Sequence, residues 1–103
     1  MTKLLVLYNQ PKDPAAFDRY YFATHVPIAQ KIPRLRTYIV SRETPRPLGA
    51  GSAPHMVAEL HFDSPQDLDA AMKSPQGQAA AADVPNFADG GVTMFAFETK
   101  TVG

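Results

Sequence analysis

Apolar and polar residues change their rhythm several times along this chain, and each rhythm predicts an element. Residues 3 to 9 carry Leu4-Leu5-Val6-Leu7-Tyr8 and stop at the turn cluster Asn9-Gln10-Pro11, which predicts a buried strand. Asp13 before Pro14 sets an N-cap beside a proline at the first helical position, where the missing N–H costs nothing. The helix starting there has an inward stripe of Phe17, Tyr20 or Tyr21, Thr24 and Ile28, with Asp18, Arg19 and Lys31 toward solvent. Pro27 cannot donate a backbone hydrogen bond and crowds the preceding turn, so a kink is expected near His25 and Val26 before the helix resumes toward Ile32.

Residues 35 to 42 alternate and are rich in Thr, Tyr, Ile and Val, predicting a second strand. Residues 55 to 62 predict a third, with Met56, Ala58, Leu60 and Phe62 on one side. The connection from 44 to 54 is far longer than a hairpin needs, a length usually found in functional or mobile loops. Ser64-Pro65 is a second N-cap with proline, and Leu68, Ala71 and Met72 form the stripe of a short helix ending near Ser74. Pro75 can start a further turn through 78 to 83, and Asp89-Gly90-Gly91 turns the chain into a fourth strand over 92 to 100. The order strand, helix, strand, strand, helix, strand predicts an α+β, ferredoxin-like βαββαβ fold, with one four-stranded antiparallel sheet and both helices on one face.

The predicted sheet is apolar on both sides. Leu5 and Leu7 oppose Leu4, Val6 and Tyr8 in the first strand, and Phe95 and Phe97 oppose Val92, Met94 and Ala96 in the fourth. Helices cover only one face, and each large side chain left in water forfeits roughly 1.5–3 kcal/mol. The economical cover is a second copy, giving a homodimer whose sheets pack face to face as a dimeric α+β barrel.

Composition narrows the function. A chain of 103 residues with 45% hydrophobic and 19% charged residues is one folded domain, residues 1–103. Ten basic residues balance ten acidic ones, which removes the driving term for nucleic acid or an anionic membrane. Cysteine is absent, excluding disulfides and thiolate nucleophiles. The N-terminal apolar run is too short to span a bilayer, and together these features lead us to expect a cytoplasmic protein.

Three clusters carry candidate chemistry. His25 stands at the proline break and shares a face with Tyr21, so a buried imidazole there can act as acid, base or donor, or else simply satisfy a freed carbonyl. Tyr38 in the second strand can meet the same ligand, one group donating and the other accepting, or else serve as core with its hydroxyl at the rim. His55, Glu59 and His61 fall on one face of the third strand by alternation. Two or three ligands on one strand do not close a coordination shell, so no metal is expected and these residues are assigned to a pocket rim or dimer seam. Gly49-Ala50-Gly51 leads to a strand and not to a helix N-terminus, so no nucleotide loop is present.

Phe17-x-x-Tyr20-Tyr21-x-x-Thr24-His25-Val26-Pro27-Ile28-Ala29, Ile32-Pro33-x-Leu35 and Phe87-x-x-Gly90-Gly91-Val92 resemble the EthD family, named for its link to ethyl tert-butyl ether degradation. The resemblance runs nearly the whole chain and implies the fold of the dimeric α+β barrels. That group includes muconolactone isomerases, cofactor-independent monooxygenases, polyketide cyclases and haem-handling proteins, so the resemblance implies shape more than reaction. By analogy with its isomerases and cyclases, His25 and Tyr38 are the catalytic candidates, and Phe17, Tyr20, Tyr21, His55 and Glu59 the ligand-binding ones. The cysteines of methyl-lactone isomerases are missing, which counts against that reaction.

The resemblance leads to a catabolic protein that binds a small apolar or aromatic molecule between its first helix and its sheet, needing no cofactor. The alternatives it leaves are a non-catalytic accessory or carrier for a monooxygenase partner, a cofactor-independent monooxygenase, isomerase or cyclase, and a haem binder using His25 or His55.

Overall fold

The structure is a computed structural model describing residues 1–103. The elements run β1 (Thr2–Tyr8), α1 (Pro14–Tyr20), a π-helical turn (Tyr21–His25), α2 (Val26–Ala29), β2 (Thr37–Val40), β3 (Met56–Phe62), α3 (Pro65–Lys73), α4 (Pro75–Asp83), a 3-10 turn (Val84–Asn86) and β4 (Val92–Glu98). The strands form one antiparallel sheet in the order β2-β3-β1-β4, the ferredoxin-like arrangement. No helix is long and apolar enough to cross a membrane.

The helix starts follow from their caps. Asp13 accepts from the Ala16 N–H at 3.1 Å and Ser64 from the Asp67 N–H at 3.1 Å, each ahead of its proline. Ser74 joins α3 to α4 by working on both. Its hydroxyl donates to the Ala71 carbonyl at 2.6 Å and accepts from the Gly77 N–H at 3.0 Å. At Gly77 the two helices approach so closely that a β-carbon would fall on the Ala71 carbonyl oxygen, which is why glycine stands there.

The first helical segment departs from the expected kink. The Val26 N–H reaches back five residues to the Tyr21 carbonyl, so the chain widens into a π turn ahead of Pro27 and continues without a break. This changes which residues face inward. Four residues overshoot a regular turn by about 40°, and the wider turn cancels that drift between Tyr21 and His25. Phe17, Tyr21, His25 and Ala29 are therefore all buried, while Thr24, expected inside, is exposed. The strands are also shorter than the alternation suggested, β2 covering Thr37–Val40 and β4 stopping at Glu98.

Register sorts the sheet into two faces. Leu4, Val6 and Tyr8 pair with Leu60, Ala58 and Met56, and these six lie under the helices. Tyr38 pairs with Leu60 and belongs to the same side. On the reverse face Leu5 lies between Glu59 and Phe95, and Ile39 flanks Glu59. Phe95, Ile39 and Phe97 are 54%, 48% and 44% exposed, so the apolar reverse face is bare. One polar cluster interrupts it: Glu59 Oε1 lies 3.1 Å from Lys3 Nζ and 2.9 Å from His61 Nε2.

Candidate functional site

Between the helices and the sheet lies a cavity of about 280 Å³. Its floor comes from β1, β2, β3 and β4 through Leu4, Val6, Tyr8, Tyr38, Leu60 and Met94. Tyr21, His25, Ala29 and Ile32 form one wall, and Met72, Ala80 and Val84 the other. No lysine, arginine or carboxylate lines it. The residues with polar groups that line it are His25 and the phenols Tyr8, Tyr21 and Tyr38, of which Tyr21 is fully buried.

His25 is set by residues far away in the chain. Its Nδ1 lies 2.9 Å from Oδ2 of Asp83, the last residue of α4. Asp83 Oδ1 also accepts from the Tyr20 hydroxyl at 2.6 Å and from Asn86 Nδ2 at 3.0 Å. Burial alone would push the Asp83 carboxyl up, but the hydrogen bonds from Tyr20, Asn86 and His25 outweigh it and hold the group below the usual carboxylate range. Donation to that carboxylate pushes the Tyr20 phenol up in turn. An ionised carboxylate only accepts, so Nδ1 carries the proton, and Nε2 has no partner in the chain. The ring is wedged between Phe87, with centroids 4.7 Å apart, and Tyr21, at 5.2 Å.

The second polar feature is a pair of phenols. The Tyr21 and Tyr38 hydroxyls are 2.6 Å apart, and either can donate to the other. Tyr8 packs edge-on to Tyr21 with ring centroids 5.6 Å apart. Burial pushes all three phenols up, so they stay protonated as donors. The site thus pairs hydroxyl donors with an imidazole whose outward nitrogen is free, an arrangement suited to holding an oxygen or moving a proton.

The sequence candidates separate in space. His25, Tyr38 and Tyr21 come together on the cavity. Phe17 stacks behind Tyr21 at 5.8 Å and meets the cavity nowhere. Tyr20 turns toward Asp83 and supports the far side of the imidazole. His55, expected to share a face with Glu59 and His61, does not, because β3 begins only at Met56 and alternation does not extend to the bend before it. It is buried against Phe17, with Nε2 2.8 Å from Asp18 Oδ1. Glu59, assigned to a pocket rim or a dimer seam, lies on the reverse face of the sheet, away from the cavity. No group of three or more His, Cys, Asp or Glu side chains is placed to hold a metal ion.

Asp83, Asn86 and Tyr8 escaped the sequence reading. Asp83 did leave a signal: a carboxylate in the last turn of a helix opposes the macrodipole, so its presence after an alanine run calls for compensating donors.

Known proteins resemble this chain over nearly its whole length. An uncharacterized 11.0 kDa protein in the thcB-thcC intergenic region of Rhodococcus erythropolis is 42% identical over 102 residues, 99% of this chain and 98% of that one. The crystal structure of an ethyl tert-butyl ether (EthD) family protein from Bacillus halodurans superposes with a TM-score of 0.87 at 38% identity, covering 97% of this chain and 99% of the other. A dimeric ferredoxin-like protein of unknown function from Thermobifida fusca shares the fold, with a TM-score of 0.69 at 15% identity over 95% of this chain and 90% of its own. The EthD domain model itself matches residues 9–91. With its cavity, its His-x-Pro helix and these relatives, the chain belongs to the EthD family.

Proposed function

We propose that this protein is a small-molecule-binding protein of catabolism whose ligand, small and largely apolar or aromatic, occupies the cavity between the first helix and the sheet. His25, steadied by Asp83, and Tyr38, linked to Tyr21, orient the ligand or transfer its proton. The observation that carries this reading is the concentration of polar function: an otherwise apolar cavity presents one imidazole and a set of phenols and nothing charged. The working unit is a homodimer, with the second copy covering the bare apolar face; the dimeric protein from Thermobifida fusca has the same fold and supports this.

The binding test uses 2-methoxynaphthalene as a probe followed by amide chemical shifts. Binding should move the signals of residues around Tyr21, His25 and Tyr38. Ala80→Leu, which fills the cavity wall, should abolish the effect while leaving the rest of the spectrum in place. Shifts confined to the surface, or binding untouched by Ala80→Leu, would remove the cavity from consideration.

A further inference from the structure

We infer that the cavity selects neutral compounds bearing a weakly acidic hydroxyl, a phenol or the enol of a ketone, and that Asp83 is the positioning residue that sets this choice by keeping His25 Nε2 a hydrogen-bond acceptor. The inference rests on the cavity being the ligand site and adds the ligand's chemistry.

Charge is decided by what is missing from the walls. A bound carboxylate or phosphate would need a cation, and no lysine or arginine reaches the cavity. A bound ammonium would need a carboxylate, and none lines the cavity, Asp83 standing behind His25 with both oxygens engaged. An isolated charge in such a place is costly, so the ligand enters neutral. Size follows from the volume. An apolar cavity of about 150 Å³ accepts a benzene ring, so 280 Å³ suits one ring with substituents or two fused rings.

Polarity is decided by the imidazole. Asp83 offers only acceptors and holds the Nδ1 proton, so in the neutral ring Nε2 is the lone-pair nitrogen, with nothing in the chain to donate to it. An ether or a hydrocarbon leaves that nitrogen unpaired in an apolar surround, whereas a hydroxyl satisfies it. The same hydroxyl oxygen can accept from the phenols, because Tyr8, Tyr21 and Tyr38 hold three hydroxyl protons and their two mutual hydrogen bonds use only two. A hydroxyl compound therefore meets both an acceptor and a donor, and its ether meets only the donor.

Asp83→Asn is a sharp perturbation because of how the carboxylate is used. Tyr20 and Asn86 both donate to Oδ1, so the carbonyl of an asparagine is held there and its NH₂ faces His25. Nδ1 then becomes the acceptor and Nε2 carries the proton.

Two measurements test this. Nitrogen-15 spectra of histidine-labelled protein should show His25 with Nδ1 protonated and Nε2 unprotonated at neutral pH, and the reverse in Asp83→Asn. In parallel, the affinities of 2-naphthol and 2-methoxynaphthalene are compared as a ratio, which cancels the different cost of taking each from water. That ratio should fall about tenfold or more on passing from wild type to Asp83→Asn or His25→Phe. A ratio unchanged in both variants, or Nε2 protonated in the wild type, overturns the hydroxyl selection while the cavity reading stands. Failure of both probes to bind wild type overturns the cavity reading and this inference with it. Should Asp83→Asn fail to fold, the wild-type spectrum and the His25→Phe ratio still decide.

Discussion

Phe95→Lys strikes the proposed sheet-to-sheet packing at its most exposed aromatic ring. Phe95 and Phe97 stand 54% and 44% exposed on the reverse face. A phenylalanine offers about 200 Å², so these two leave about 200 Å² of ring surface bare in each subunit. At about 25 cal/mol per Å², covering it is worth about 5 kcal/mol per subunit. A twofold interface counts every residue twice, giving about 10 kcal/mol for the pair. Ile39 adds to this, and the total falls within the range needed to offset the roughly 4–15 kcal/mol cost of association.

Replacing one ring by a charged head removes about 2–3 kcal/mol per subunit, hence about 5 kcal/mol per dimer, which weakens Kd by three to four powers of ten. Sedimentation velocity should find wild type dimeric at micromolar concentration and Phe95→Lys monomeric, with the far-ultraviolet circular dichroism of the two alike. A wild-type monomer at high micromolar concentration, or a variant that dimerises as well as its parent, would refute the reasoning.

Other perturbations probe the interior. Asp83→Ala strands three donors and should cost about 2–4 kcal/mol in urea unfolding, more than Tyr20→Phe at about 1 kcal/mol; equal costs would mean that Asp83 is not the hub. Asp83 and Glu59 both sit below their ordinary range, so each binds its proton less tightly folded than unfolded. Their contribution to stability is therefore complete above the ordinary carboxylate range, near 3.8 for Asp83, and is lost as pH falls through the lowered folded values. Asp83→Asn should flatten the acid limb of a stability profile, and an unchanged limb would contradict the assignment. Gly77→Ala forces α3 and α4 apart at the Ala71 carbonyl and should cost about 1–3 kcal/mol or more by thermal unfolding. Tyr38→Phe removes the partner of a buried hydroxyl and should cost about 1 kcal/mol, seen as a lowered urea midpoint.

Much of the fold was legible because its signals are local. The caps at Asp13 and Ser64 and the two-sided apolar pattern of β1 and β4 each lie within a few residues, and the structure has them where the sequence put them. The π turn was not legible. Pro27 announces a disturbance, but whether the backbone breaks or takes up an extra residue depends on what the widened turn can bury, and here it buries His25 in place of Thr24. The candidate site was half legible for a related reason. Tyr21 and His25 are grouped by their four-residue spacing, and His25 with Tyr38 by the resemblance to isomerases and cyclases of the fold, whereas Asp83 is 58 residues from His25 and meets it only through tertiary packing. Alternation correctly grouped Glu59 with His61, but a sheet apolar on both sides does not say which face the helices take.

The widened turn between Tyr21 and His25 also makes this helix one unit longer than its span requires. A gene lacking a single codon among those for Phe22, Ala23 and Thr24 would still encode a helix joining the same two ends, now regularly wound. Three regular residues turn through only about 300°, so the imidazole would come to rest about 60° round the axis from the face of Tyr21, turned away from its carboxylate. Length at that one point is thus a marker, readable from sequence, that separates chains able to set an imidazole against Asp83 from those that keep only the shell.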